Sequence, residues 1–181
     1  MGRKSIALWL MMGLFVVPQI GQEKDVWTPL KFLEGTWEGG EPGVSKVTQA
    51  YQFILGGKFL QMKTKAIFEP PEKNQEGEVH KDFGILSYDR FRKKFILRGF
   101  YVEGFVNQYV LDDVSEDGKT FTFVTEHIEN APSGTKAKLV FKVINQDEME
   151  QSFHVAWPGK KFSCYSTNRI KKKESSERSS D

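Results

Sequence analysis

From residue 35 onward the chain alternates apolar and polar side chains with a period of two, and turn-forming residues interrupt that alternation repeatedly. Successive side chains on a strand point to opposite faces, so the pattern describes ribbons with one dry face and one wet face. Runs at 35–40, 44–55, 58–68, 78–88, 93–102, 104–112, 119–128, 136–145, 148–157 and 161–171 read as strands. Gly56-Gly57, the Pro70-to-Gly77 loop, Glu116-Asp117-Gly118, Asn130-to-Gly134 and Pro158-Gly159 separate them, with residues that admit or preset turn dihedrals. No stretch after residue 34 sustains the spacing of an amphipathic helix. Ten short antiparallel strands behind one short N-terminal helix predict an all-β, up-and-down barrel.

The strands state their inner faces. Lys136, Lys138 and Lys142 must face water, which turns Ala137, Leu139, Phe141 and Val143 inward. The same logic turns Leu60, Met62, Thr64 and Ala66 inward, and with them Val47, Gln49, Tyr51, Phe53 and Leu55. Met149, Gln151, Phe153, Val155 and Trp157 form a further inner set. Gln49, Tyr51, Thr64 and Gln151 are polar members of these sets. A filled core has little use for them, whereas a barrel with an internal cavity hydrates them or aims them at a ligand.

The chain's start has a different composition. Met1-Gly-Arg-Lys4 is basic, Ser5 to Val17 is almost wholly apolar, and Pro18 and Gly21 follow. That is the layout of a secretory signal peptide over residues 1–22, with an uncleaved anchor as the alternative. A single barrel domain over 23–172 and a polar tail over 173–181 complete the division, and export to the periplasm or the exterior is the expected location. Arg3 and Lys4 account for two of the 26 bases, so the remainder balances the 24 acids. Without a concentrated basic face, nucleic-acid recognition has no support. Cys164, the one cysteine, precludes an internal disulfide, and its strand setting reads as a small buried apolar residue.

The opening Leu33-x-Gly35-Thr36-Trp37-Glu38-Gly39 joins a helical turn to the first strand. Glycine at 35 permits a sharp change of direction, and Trp37 is large enough to plug one barrel end. With ten strands and Arg169 late in the last one, the chain resembles the calycin superfamily, which includes lipocalins and fatty-acid-binding proteins. The resemblance implies that Gly35, Trp37 and Arg169 close one end of the barrel, the cation lying on the indole. A closer resemblance is to the nitrobindin-like, haem-binding-type barrels and their uncharacterised bacterial relatives. It is carried by that opening and by Gly77-Glu78-Val79-His80-Lys81-Asp82-x-Gly84. Those barrels bind ferric haem through a last-strand histidine. Here Phe162 to Ile170 contains none, and the corresponding position falls on or next to Tyr165. Any haem would therefore have Tyr165 or His80 near iron; otherwise no cofactor and no metal site is expected.

Chemistry-bearing residues are sparse. Arg98 sits in an apolar strand, followed by Asn107 and Tyr109 on one face of the next. Facing inward, Arg98 would meet an acidic headgroup together with Tyr101 or Tyr109; facing outward, it would pair with a neighbouring strand's acid. His127 shares parity with Phe121, Phe123 and Thr125 and so points to the barrel mouth, while His154 reads as outward. No serine lies in a nucleophile elbow, no histidines share metal-ligand spacing, and Gly39 to Gly43 lacks the lysine of a phosphate loop. The expectation is a ligand-binding barrel rather than an enzyme. It would hold a small apolar or weakly acidic molecule through Tyr51, Arg98, Asn107, Tyr109, His127 and Tyr165. A haem barrel handling reactive nitrogen or oxygen species, and a filled barrel serving as an interaction module, are the alternatives. Membrane contact is expected only with an uncleaved leader.

Overall fold

The computed structural model of the chain describes residues 25–70 and 76–174. The leader assigned to 1–22 lies outside that range, as does the tail beyond 174. Ten strands follow a short 3₁₀ turn, Thr28–Leu33. They are β1 (Gly35–Gly39), β2 (Ser45–Ile54), β3 (Phe59–Phe68), β4 (Glu78–Asp89) and β5 (Lys94–Phe100), then β6 (Val106–Val114), β7 (Thr120–Glu129), β8 (Lys136–Asn145), β9 (Glu148–Ala156) and β10 (Ser163–Lys172). Each pairs antiparallel with its sequence neighbours and β1 pairs with β10, giving a closed, calycin-like barrel in up-and-down order. Closure leaves no long sheet edge at the base.

One end is stoppered. The 3₁₀ turn inserts Leu30 and Leu33 into the base, and Gly35, at φ +119°, swings the chain into β1. Trp37 is fully buried, and its indole Nε1 donates to the Leu33 carbonyl at 2.8 Å. That bond ties the plug to the turn and satisfies the one polar atom of the ring. The cation above the indole is Lys172, whose Nζ lies 5.4 Å from the ring. Arg169 does not fill that place; its Nε donates to Glu148 Oε1 at 2.7 Å on the outer surface. Register decides this: Lys172 stands opposite Trp37 and shares the inward parity of the buried Ile170, whereas Arg169 has the other parity.

The lower half of the interior is filled. Leu30, Leu33, Leu60, Phe121, Phe123, Met149 and Ile170 are at most 2% exposed. The gap among Leu33, Tyr51, Met62, Leu86 and Phe123 is about 10 Å³, room for one water at most. Above it the inner wall changes. Thr64, Ala66, His80, Asp82, Gln151, Phe153 and Val155 occupy inward positions yet are only half-buried, so solvent lines the uncovered half. β1 stops at Gly39 opposite Ile170, and no described strand pairs with Ser163–Arg169 on that side. The wall is notched there.

Candidate functional site

At the level where the filled half ends, three inward residues stand side by side across the sheet: Gly84 on β4 pairs with Gly99 on β5, which pairs with Asn107 on β6. The two glycines leave the wall bare, and a neighbouring side chain uses the space. Tyr101, just past the end of β5, folds back so that its hydroxyl lies 2.9 Å from where a Cβ on Gly99 would be. There it meets the Tyr109 hydroxyl at 3.0 Å, and Tyr109 accepts from Asn107 Nδ2 at 2.8 Å. Asn107 is 5% exposed and Tyr109 is wholly buried.

The hydrogen-bond accounting of this cluster does not close. The two phenols hold two protons and spend one on each other, so one O–H is free whichever donates. Asn107 Oδ1 is shielded from solvent and has no protein partner. Asp82, inward on β4 and one residue beyond the Phe83–Phe100 pair, accepts the Val102 amide, while its Oδ1 is likewise buried without a partner. Buried polar atoms are nearly always paired, so two orphan acceptors beside one spare donor set this place apart.

Electrostatics follow the burial. Desolvation raises the Tyr101 phenol well above its ordinary value, with Tyr109 adding to the shift. Tyr109 is raised by burial against opposing hydrogen bonds from Tyr101 and Asn107, so both remain neutral hydroxyls. Burial also raises the Asp82 carboxyl, with Glu103 contributing, against the Val102 amide and His80. His80, two residues nearer the mouth, is clamped between Glu78 (2.8 Å from Nε2) and Glu103 (2.6 Å from Nδ1). Desolvation pulls the imidazole down, but the two carboxylates outweigh it and the net shift is upward.

Of the six binding residues named from the sequence, Asn107 and Tyr109 are brought together here. Tyr51 is buried lower down, its hydroxyl donating at 2.8 Å to Gln49 Oε1, while Gln49 Nε2 reaches Gln151 on β9. The other three lie outside the cluster. Arg98 faces outward, with Nη1 3.3 Å from Ser87 Oγ, because Phe95, Leu97 and Gly99 take the inner parity of β5. His127 is exposed because a bulge places Glu126 as an extra residue, reversing the parity set by Phe121 and Phe123. Tyr165 is itself the extra residue of a bulge in β10 and is 78% exposed. Cys164, read as buried, is exposed.

Of the two haem candidates, His80 has both nitrogens on carboxylates and Tyr165 lies in solvent. No three His, Cys, Asp or Glu side chains converge at metal-ligand geometry among the described residues. Asp82, Glu78 and Glu103 were missed as site residues. The available signal was the inward parity of Glu78, His80 and Asp82 with Gly84 and Leu86, which puts ionisable groups on a face that is apolar further down. A wider depression of about 430 Å³ is lined by Thr48, Ala50, Lys63, Lys65, Lys81 and Phe83, which take the outer parity of their strands, and also by Thr64 and Asp82, which take the inner parity.

Together these features define a calycin-like barrel with a filled base and a polar cluster near its uncovered end. No protein-family model and no curated protein sequence matches the chain. Among solved structures it is similar to that of Rv2717c from M. tuberculosis, at 15% identity and a TM-score of 0.61, over 82% of this chain and 97% of that one. At this identity the likeness concerns the fold alone.

Proposed function

We propose that the protein is a small-molecule-binding barrel that holds its ligand in the uncovered half without transforming it. The observation that carries this reading is the Asn107–Tyr109–Tyr101–Asp82 cluster, whose buried acceptors lack protein partners. Leaving such groups unpaired costs stability, and a bound molecule that pairs them is the usual recompense. The apolar part of the ligand lies along Ala66, Ile128, Phe153 and Val155, inward positions that are half-buried. Export belongs to the same proposal and rests on the basic-then-apolar stretch from Met1 to Val17; cell fractionation that finds the full-length chain in the cytoplasm removes it.

Native mass spectrometry on gently purified protein tests the binding reading. A stoichiometric adduct that Asn107→Leu loses supports it, and a bare chain that takes up nothing from a small-molecule panel sinks it in favour of the filled interaction module. The opening Leu33-x-Gly35-x-Trp37-x-Gly39 favours the haem barrel as a second reading. A ferric haem titration decides between them: a saturable Soret shift abolished by Tyr165→Phe or His80→Ala promotes haem. Weak partitioning indifferent to both substitutions eliminates it.

A further inference from the structure

The small-molecule reading leaves the ligand's polar end open, and the hydrogen-bond inventory of the cluster restricts it. Both orphan atoms, Asn107 Oδ1 and Asp82 Oδ1, are acceptors. A ligand end that only accepts, such as an ether or a carboxylate, leaves both unpaired. A hydroxyl brings one donor and pairs one of them. An ammonium carries three N–H donors and no acceptor, enough in number for both orphan oxygens and a phenol oxygen of the Tyr101–Tyr109 pair, with only the spare phenol proton left unmatched.

Charge points the same way. Among inward-facing residues described for β3 to β6, the acidic and basic side chains are Glu78, His80 and Asp82; Glu103 joins them from the turn above, on His80. His80 is the one cation in this set. Lys63, Lys65, Lys81 and Arg98 belong to the outer face of the same strands. A bound anion would add to an excess of carboxylates in a partly desolvated place, whereas a cation offsets it. Access is graded: Asp82 and Tyr101 are half-buried, while Asn107 and Tyr109 are covered. An incoming headgroup meets the carboxylate first and the amide oxygen last.

We infer that the ligand is an amphiphilic amine whose protonated amino group is held by Asp82, Asn107 and the Tyr101–Tyr109 pair. This rests on the small-molecule reading above and replaces an acidic headgroup, for which Arg98 faces the wrong way. The ammonium–carboxylate contact is charge-assisted, the kind of hydrogen bond whose loss is felt most.

Calorimetric titration of the whole chain with n-octylammonium chloride, n-octanol and sodium octanoate is the test, since the three share a tail length and differ at the head. The expected order is octylammonium tightest, by about tenfold over octanol, with octanoate weakest. Asp82→Asn keeps the shape of the side chain and removes its charge. It should weaken octylammonium by about tenfold more than it weakens octanol. Asn107→Leu should weaken octylammonium also, with circular-dichroism melting confirming that both variants are folded. Octanoate binding tighter than octylammonium, equal affinity for all three, or a uniform loss in Asp82→Asn overturns the amine and leaves a small-molecule barrel standing. No saturable binding of any of the three by the folded chain overturns the amine and counts against the barrel's binding role as well.

Discussion

The barrel contains the same dipeptide-spaced pair twice, and the two copies end differently. Gln49 and Tyr51 sit two apart on β2 and face inward; Asn107 and Tyr109 sit two apart on β6 and face inward. On β2 the phenol donates to the amide oxygen, which frees the amide nitrogen to bridge to Gln151 on β9. On β6 the amide nitrogen donates to the phenol, which leaves the amide oxygen with no partner. Glutamine has one more methylene than asparagine, and its longer reach finds an acceptor on β9, past β10 and the short β1. A buried amide and phenol therefore do not mark a site by themselves. What separates a strut from a site is whether the hydrogen-bond count closes.

The sharpest way to test that distinction is to break the closed copy. In Gln49→Leu the buried Tyr51 hydroxyl loses its acceptor and Gln151 its donor at once. Stranding a buried hydroxyl on top of a lost bond should cost about 2–4 kcal/mol, read as a lower urea midpoint at unchanged slope. A loss under about 0.5 kcal/mol, the scale of a neutral surface change, would mean that the β2 network is not the strut described.

A smaller effect is expected where the open copy meets its neighbour. Gly99→Ala places a methyl 2.9 Å from the Tyr101 hydroxyl and 3.1 Å from its ring. The contact is with a side chain rather than backbone, so Tyr101 can retreat, at about 1–3 kcal/mol for the forced repacking. Its bond to Tyr109 should break with it, visible as a change in tyrosine near-ultraviolet circular dichroism. An unaltered spectrum with unaltered stability would show that Tyr101 does not depend on the bare glycine wall.

The sequence makes the fold legible because lysines police the outer faces: Lys136, Lys138 and Lys142 leave Ala137, Leu139 and Phe141 no alternative but the core. Trp37 as the plug follows from its size and its glycine neighbour. The site is only half legible, and the losses have one cause. Parity counting works until a bulge inserts a residue, and bulges sit beside His127 and at Tyr165, the two candidates displaced outward. Arg98 fails differently, since either parity of its strand is defensible and the facing strand's register sets the choice. Arg169 is assigned from the resemblance, and the register of β1 against β10 gives its place to Lys172. Asp82 could be placed inward from the sequence, but nothing local to it reveals that its second oxygen would go unpaired.

The mouth offers a weaker perturbation, through pH. His80 has a raised pKa between Glu78 and Glu103 despite its partial desolvation. Such a group stabilises the fold in full below the ordinary imidazole value, and the contribution fades as pH rises through the raised folded value. Wild-type protein should therefore exceed His80→Gln in melting temperature most near pH ~5, with the gap closing toward pH ~8. Asp82, also raised, adds a loss of the same sign at lower pH, as its carboxyl ionises against burial. A gap that widens toward alkaline pH would place the imidazole in a different environment from the one between these carboxylates.

The smallest change in stability should come from the residue that matters most to the site. Asn107→Leu removes one hydrogen bond, Nδ2 to Tyr109, worth about 1 kcal/mol net. It also removes the unpaired Oδ1, whose burial costs about 1–3 kcal/mol. Leucine nearly matches asparagine in shape and leaves Tyr109 its bond to Tyr101. The two terms oppose, so the urea midpoint should stay within about 0.5 kcal/mol of the parent or rise slightly. The symmetrical substitution on β2 costs several times more because there the amide is spent on both sides. If Asn107→Leu instead destabilises as strongly as Gln49→Leu, the amide oxygen is already paired within the free protein. The cluster would then be a second strut, with no stability held back for a ligand to recover.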